Sequence, residues 1–301
     1  MTIYKLAAID IGSNAIRLLI SNVIEKDKFT KPFFSKNSLV RVPIRLGEDT
    51  FGSGSINKKN ILRIVKAIKS FKYIMEINEV DDYIACATSA LREAKNGKQV
   101  VERIFNETNI KIELIDGKRE AELIALTDLE NFFNPKKNYL HVDVGGGSTE
   151  LTLINGKKII DSKSFKIGTV RILKKMVSSN EWNFFEKWII KKTKKYRGIS
   201  LIGSGGTINK IFKISGKKIG KPLSYIFLCK QYEKLKKQSF EELIINHQMN
   251  PDRADVIVQA VNVYLLAMKL SGSNKIYVPK IGLADGTIKL LYLRNKKKGI
   301  N

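Results

Sequence analysis

"HVDVGGGSTEL", residues 141–151, sets an acid at the centre of an alternating apolar strand and then runs into three consecutive glycines. Glycine weakens a strand interior, because it costs conformational entropy and leaves nothing to pack, so a triple glycine marks a turn or a close approach by another group. A carboxylate beside so bare a backbone points to phosphate. The stretch has an echo near the N-terminus: "AIDIGSNAIRLLI" (8–20) aligns with "HVDVGGGSTELTL" (141–153) at a constant offset, with Asp10 against Asp143 and Gly12 against Gly145. Such internal similarity implies two copies of one supersecondary unit. In each copy the apolar residues flanking the acid alternate, and a small-residue turn leads into a second β-rich run, which reads as strand, tight turn, strand. Asn155-Gly156 is a hairpin signal that adds a third antiparallel strand. A P-loop or Rossmann turn would instead enter a helix directly.

Working outward, the pattern is α/β. Helical periodicity covers 57–78, 97–108 and 117–133, with strands at 81–88 and 110–115 between them. Past the second hairpin, helices are expected near 168–178 and 183–195. A strand at 199–203 then meets a third glycine turn, "GSGGT" (203–207), which opens a helix. The apolar stretch 254–270 contains Asp255 and Lys269, falls short of the roughly 20 apolar residues of a bilayer span, and reads as a buried core helix. The terminal "RNKKKGIN" reads as a loose, solubilising tail.

Composition narrows the class. The 301 residues favour two domains, and 43% apolar with 9% aromatic residues describes a globular chain. Lys and Arg number 54 against 29 acids, a net charge of +25 that concentrates polyanions near the surface or, alternatively, reflects a Lys-rich composition on solvated helix faces. Cys86 and Cys229 are far apart and lack metal-ligand spacing, which excludes a disulfide framework and a cysteine zinc site and fits a reducing cytoplasm. No signal peptide is expected from the opening residues. His141 and His247 show no metal spacing and are read as structural.

Two hairpin phosphate loops, each with an acid ending its first strand, resemble the actin-like, Hsp70-like and sugar-kinase superfamily. More narrowly, the chain resembles the exopolyphosphatase and guanosine pentaphosphate phosphohydrolase family. The likeness rests on "AAIDIGSNAIRLLI" (7–20), "RLGED" (45–49), "ATSALREAKNG" (87–97), "IDGKREAELI" (115–124), "VDVGGGSTEL" (142–151), "FKIGTVRI" (165–172), "IGSGGT" (202–207) and "DRADVI…IGLADGTI" (252–288). Ala15 stands where the family usually has Ser, and Asp49 where Gly is common, departures that would trim a phosphate contact. The resemblance implies an α/β fold of two ribonuclease-H-like (actin-like) domains with a cleft between them. Domain I would span 1–124, with a C-terminal helix of about 285–301 packing back on it, and domain II 125–284. It also implies the short two-domain form, a possible homodimer and no membrane partner.

Phosphoryl transfer needs a cradle of N–H donors, cations for the phosphate oxygens and a group that orients the nucleophile. Backbone N–H groups of Ser13 and Asn14, and of Gly145, Gly146, Gly147, Ser148 and Thr149, are candidates for wrapping phosphate as concave nests do; the competing account is two turns that merely need glycine. Gly205, Gly206 and Thr207 of the third turn are candidates for distal phosphates or a nucleotide, although one such loop is a weak signal. Asp10, Asp143 and Glu150 would bring negative charge to an anion site, so a cation must intervene, and Mg²⁺ (or Mn²⁺) suits oxygen ligands shared with substrate phosphates. Alternatively, Glu150 is an exposed strand residue opposite a basic neighbour. Arg92, read as lying at a helix start where a cation is disfavoured, implies a nearby anion, with a surface salt bridge as the rival account. From spacing alone Glu120 only complements a helix dipole; the resemblance implies that it is the base that activates water.

The resulting expectation is a metal-dependent phosphohydrolase removing terminal phosphate from inorganic polyphosphate or guanosine pentaphosphate. Alternatives are an ATP-dependent small-molecule kinase on the same fold and a non-catalytic polyanion or RNA binder. The latter predicts exposed aromatics along a basic stripe, whereas Phe132-Phe133 and Phe184-Phe185 sit in apolar patterns, making nucleic acid the weaker partner.

Overall fold

Both halves of the repeat are antiparallel hairpins at the heart of a sheet. The computed structural model of the protein describes residues 1–27, 30–127, 134, 136–156 and 158–297. It divides into two units, the first formed by Met1–Thr127 with Leu283–Asn301 and the second by Asp128–Gly282.

In the first unit β1 (Thr2–Ile11) pairs antiparallel with β2 (Ile16–Glu25), and β2 with β3 (Phe33–Val42). Helices α1 (Leu46–Gly52) and α2 (Lys58–Ile77) lead to β4 (Asp82–Ala87), then α3 (Ser89–Glu93), α4 (Gly97–Thr108), β5 (Ile112–Leu114) and α5 (Gly117–Ala125). Strand β4 runs parallel to β1 and β5 parallel to β4, giving the order β3-β2-β1-β4-β5.

The second unit repeats the plan. Strands β6 (Asn138–Val144), β7 (Thr149–Asn155) and β8 (Lys158–Phe165) are antiparallel, and α6 (Thr169–Leu173) and α7 (Ser179–Thr193) precede β9 (Ser200–Ser204), which lies parallel to β6. Next come α8 (Gly206–Ile214), β10 (Leu223–Ser224), α9 (Tyr225–Lys236), α10 (Phe240–His247), α11 (Pro251–Ala254), α12 (Ile257–Ser271) and β11 (Lys275–Tyr277), with sheet order β10-β11-β9-β6-β7-β8. The chain then returns to the first unit as α13 (Leu283–Lys297). The protein is therefore the expected α/β fold of two ribonuclease-H-like (actin-like) units.

Strand alternation separates core from chemistry. Leu140, Val142, Val144, Leu151 and Leu153 belong to one hydrophobic core with Phe185 and Ile189 of α7, Ile208 and Ile211 of α8 and Val261, Tyr264 and Met268 of α12. His141, Asp143, Glu150 and Thr152 occupy the alternate positions and so face the other way. The 251–271 stretch is long and apolar enough to cross a membrane, yet 56% of its most apolar window is buried, and α12 supplies Ala260, Val261, Val263, Tyr264 and Ala267 to this core.

In the first unit, Leu6, Ala8, Leu19 and Val23 of the hairpin are covered by Ala284, Ile288, Leu291 and Tyr292 of α13. Polar contacts anchor the same helix: Lys36 Nζ to Asp285 at 2.6 Å, Arg294 to Asp82 at 3.0 Å and Lys296 to Glu25 at 2.6 Å. This corrects the reading of 294–301 as a loose tail, since the segment is helical through Lys297 and its cations hold it down; residues 298–301 lie outside the described residues.

Two helix expectations also change. The 168–178 helix is only Thr169–Leu173, closed by Lys174, Lys175 and Met176 N–H bonds to Val170, Ile172 and Arg171. The 117–133 helix ends at Ala125, and its remainder at 128–133 lies outside the described residues.

Gly286 allows the first unit to close. A Cβ there would fall 1.8 Å from the Leu123 carbonyl oxygen of α5, so the two helices meet backbone to backbone. Gly286→Ala should lower the melting temperature by several degrees, an overpacking cost of about 1–3 kcal/mol, and thermal unfolding with α13 near-UV signals as the probe checks it.

Candidate functional site

The candidate residues gather where parallel strands end. In the first unit, β1 delivers Asp10 and the 12–15 turn, β4 delivers Thr88, Ser89 and Arg92, and β5 delivers Asp116 and Glu120. In the second, β6 delivers Asp143 and the 145–148 turn, and β9 delivers the 203–207 loop. The C-terminal ends of parallel strands are where open α/β sheets bind ligands.

Each hairpin turn is fixed twice. Within the turn, the Gly12 N–H donates to the Ala15 carbonyl at 3.1 Å, and the Gly145 N–H to the Ser148 carbonyl at 2.9 Å. From behind, further donors hold the carbonyls: Gly47 N–H to Ser13 at 2.7 Å and Arg45 N–H to Asn14 at 3.0 Å in the first unit. In the second, Thr169 N–H reaches Gly145 at 3.0 Å, Val170 N–H reaches Gly146 at 2.8 Å and Arg171 Nε reaches Gly147 at 2.6 Å. The "RLGED" and "FKIGTVRI" segments thus perform the same task on the two copies.

Close approach explains their glycines. A Cβ on Gly168 would lie 2.3 Å from the Gly146 carbonyl oxygen, and one on Gly47 would lie 3.1 Å from that of Ser13. With the Gly145 and Gly146 carbonyls taken by this support, the N–H groups of Gly146 and Gly147, in the same peptide planes, point away from it. The expectation for the Gly145 N–H is corrected, because that donor closes the hairpin.

The acids differ between the copies. Asp10, buried, faces Arg17 across β1 and β2, and Arg17 Nη1 donates to its Oδ2 at 2.7 Å. Asp143 instead faces Glu150 across β6 and β7. Directly opposed strand residues have Cβ atoms about 4.5–5.5 Å apart, and like charges there are destabilising. Glu150 is 2% exposed and accepts from Ser164 Oγ at 2.8 Å, which overturns the account of it as an exposed strand residue beside a basic neighbour.

Asp143 also borders the third loop. Gly205 has φ 109°, a conformation favouring glycine, and a Cβ on it would stand 3.2 Å from Asp143 Oδ1 and 3.0 Å from the Val144 carbonyl. Tyr264 clamps this loop through a hydroxyl bond to the Ser204 carbonyl, and burial, with Asp143 nearby, pushes its phenol pKa well up. Thr207 is buried in the first turn of α8, Ser148 is buried, and Thr149 bonds the Ile167 carbonyl. His141 is structural here: buried, with its pKa lowered to about 4 by burial, its Nε2 bonds Ser204 Oγ at 2.9 Å.

Arg92 and Glu120 share one support. Asp116 caps α5 by accepting the Arg119 N–H at 2.7 Å, which puts Glu120, half-buried, in the first helical turn. Arg92 donates to the Ile115 carbonyl just before that cap. Arg92 lies in the last turn of the five-residue α3, not at a helix start. A cation is favourable there, so the helix dipole implies no neighbouring anion. Asp49 likewise proves to be a brace, accepting from Asn57 N–H at 3.0 Å, Asn57 Nδ2 at 2.7 Å and Asn60 Nδ2 at 2.9 Å to join α1 to α2.

Oxygen donors for a cation are present as a pair. Asp143 and Glu150 share a sheet face beside the glycine turn, which fits a hard cation that keeps waters and takes substrate phosphates as further ligands. Asp10 has its cation already in Arg17. Among the described residues, no three His, Cys, Asp or Glu side chains converge as a ready cage. Sequence reading missed Arg17, although the constant offset aligning Asp10 with Asp143 also aligns Arg17 with Glu150. It missed the clamps at Gly47, Gly168 and Arg171 because their partners are main-chain atoms.

Comparison with known proteins places the chain in a family. The model of the Ppx/GppA phosphatase family matches residues 38–294. The bifunctional 3-dehydroquinate synthase/phosphatase of Fusobacterium nucleatum is 35% identical over 221 residues, 67% of this chain and 32% of that protein. Exopolyphosphatase 1 of Mycobacterium tuberculosis is 30% identical over 148 residues, 49% of this chain and 42% of its own length. The matches thus span less than half of either curated relative. The crystal structure of an exopolyphosphatase from Cytophaga hutchinsonii superposes with a TM-score of 0.82 and 26% identity, covering 97% of this chain and 98% of the other.

The clamp on the second turn is testable without substrate. Gly168→Ala should break the Thr169 and Val170 bonds to Gly145 and Gly146, and amide hydrogen exchange at 169 and 170 should accelerate roughly tenfold or more, as an overpacking cost of about 1–3 kcal/mol implies. Unchanged exchange would mean that the turn is not held from behind.

Proposed function

Because the chain belongs to the Ppx/GppA phosphatase family, we propose that it is a metal-dependent phosphohydrolase that removes terminal phosphate from inorganic polyphosphate or from guanosine pentaphosphate. The observation carrying this reading is the Asp143 and Glu150 pair, set directly opposite one another beside a glycine turn whose carbonyls are held from behind. A phosphate site bordered by two carboxylates and lacking a cation would repel its own ligand. Mg²⁺ or Mn²⁺ held by Asp143 and Glu150 would supply the charge neutralisation that phosphoryl transfer demands.

The chain's own groups do the rest in this proposal. In the second unit the N–H groups of Gly146 and Gly147, and in the first unit those of Ser13 and Asn14, bind phosphate oxygens by charge-assisted hydrogen bonds. The carbonyl clamps keep the Asn14, Gly146 and Gly147 donors oriented before substrate arrives, so little reorganisation is needed in the transition state. Arg92, fixed by Ile115, offers guanidinium donors to a phosphate. Glu120 takes the proton of the attacking water and orients its lone pair towards phosphorus. Arg17 neutralises Asp10, so the first turn presents donors without a repelling charge. Gly205 and Gly206 border Asp143 and receive further phosphates of the chain.

The proposal extends to the cytoplasm and to a homodimer. Free thiols at Cys86 and Cys229 support the first, and the second rests on family resemblance alone. The names of the mycobacterial and Cytophaga relatives favour polyphosphate.

Glu120→Gln decides the role of the base. Phosphate release should fall by about 10²–10⁴-fold with substrate affinity little changed, whereas a residue that only complements the dipole would cost roughly 0.3–1 kcal/mol of stability and leave turnover intact. Measuring release, binding and melting temperature on that variant separates the two. Excess EDTA should abolish phosphate release and added Mg²⁺ restore it; full activity in the chelator would defeat the metal requirement.

A further inference from the structure

The second unit holds a buried cation that the proposed chemistry does not use. Lys210, on α8 one turn past the 203–207 loop, is 9% exposed. Its Nζ makes one hydrogen bond, at 3.4 Å to the Gln248 carbonyl, and among the described residues no carboxylate forms an ion pair with it. Gln248 ends α10 in the left-handed region, φ 49°, with its N–H returned to Ile244, so this carbonyl is delivered by a fixed helix end.

The charged groups that act on Lys210 are the cations Lys213 and Arg253. Lys213 shares its helix face three residues on, Arg253 reaches it from α11, and Lys210 in turn acts on His247 at the end of α10, where Lys234 of α9 also acts. Asp252 and Asp255 flank Arg253 in sequence without pairing with Lys210. Burial, with Lys213 and Arg253 alongside, lowers the Lys210 ammonium pKa, and His247 is lowered by burial and by Lys234 and Lys210. A buried ammonium with one long hydrogen bond is costly, and removing one's counter-ion ordinarily destabilises a protein by several kcal/mol. An anion beside Lys210 would relieve its burial and the repulsion between it and Lys213.

We propose that Lys210, with Lys213 beside it, forms a second phosphate subsite on this unit, which takes a phosphate of a linear polyphosphate whose leading phosphates occupy the 203–207 loop. The identity of the ligand rests on the hydrolase reading above; the anion site does not. Side chains on a helix lean towards its N-terminus, which directs Lys210 back along α8 towards the loop. Lys213 is exposed, so the face leads out to solvent and can be reached by a chain.

Binding is measured in EDTA on the whole chain, with inorganic phosphate, tripolyphosphate and long-chain polyphosphate as separate probes. Lys210→Met should raise the melting temperature of the ligand-free protein, because it removes a buried charge. It should also reduce the rise that tripolyphosphate gives the wild type, and weaken long-chain polyphosphate binding roughly tenfold or more, the loss expected of one charge-assisted contact. The slope of log affinity against log salt should become shallower by about 0.7, as for one phosphate contact on a single-stranded polyanion. Lys210→Arg should restore much of the binding, and the exposed Lys213→Gln should shallow the same slope if Lys210→Met folds poorly.

Stabilisation by tripolyphosphate but not by equal inorganic phosphate assigns the subsite to a chain. Stabilisation of the wild type by both, lost with Lys210, assigns it to any phosphate group and still supports the site. Equal melting increments and equal salt slopes in wild type, Lys210→Met and Lys213→Gln would overturn it. Should the wild type with Mg²⁺ release no phosphate while Lys210-dependent binding persists, the hydrolase reading fails and the subsite stands. Should hydrolysis proceed while Lys210→Met binds and turns over as the wild type does, the subsite fails alone.

Discussion

A peptide unit is planar and trans, so its carbonyl and its N–H point in opposite directions. Every other property of the two turns follows from that constraint. Once Gly47, Thr169 and Val170 take the turn carbonyls as partners, the donors of those same peptide planes cannot also point inward. The orientation of these donors is thus a by-product of how the turns are held, and it favours glycine beneath them, at Gly47 and Gly168, because a residue without a Cβ lets the supporting backbone come close. The glycine-rich stretch draws the eye, but the plain segments behind it impose the orientation.

The repeat also shows how one scaffold is given two electrostatic characters. The same cross-strand position is Arg17 in one copy and Glu150 in the other. The first choice satisfies its aspartate internally, with an ion pair whose acid is buried and whose Arg side chain remains 34% exposed. The second sets two carboxylates directly opposite one another on one face of the sheet. Surrounding residues reinforce the difference, since Gly205 and Tyr264 close around Asp143, whereas Asp10 is followed by the Ser13 to Ser89 hydroxyl contact at 2.9 Å.

Much of this was legible in the sequence because it is local. Asp followed by glycines between alternating apolar runs determines a hairpin, Asn155-Gly156 determines the next, and the 3.6-residue periodicity of 58–77 determines a long helix capped by Asn57. What escaped depended on partners distant in the chain. Strand β3 was invisible because it is an edge strand whose partner β2 slips register at Ile20 and Ser21, which blurs any alternation. Arg92 was assigned to the wrong end of its helix because α3 lasts only five residues, a length set by the strand before it rather than by periodicity. Lys210 looks like any cation on an amphipathic helix until α10 and α11 are laid over it.

The path of the chain carries a consequence for how the protein is made. The second unit is spliced into the first, entering after Thr127 and leaving before Leu283, and the helix that covers Leu6, Ala8, Leu19 and Val23 is synthesised only after the whole of the second unit. Domains generally fold as units while the chain emerges, N-terminal elements first. Here that order is interrupted, because β1 and β2 wait with an apolar face bare while the inserted unit, with a core of its own, is free to fold ahead of them. The nascent β1 and β2 hairpin is therefore the segment most in need of protection from aggregation, and the arrival of α13 is the event that ends its exposure.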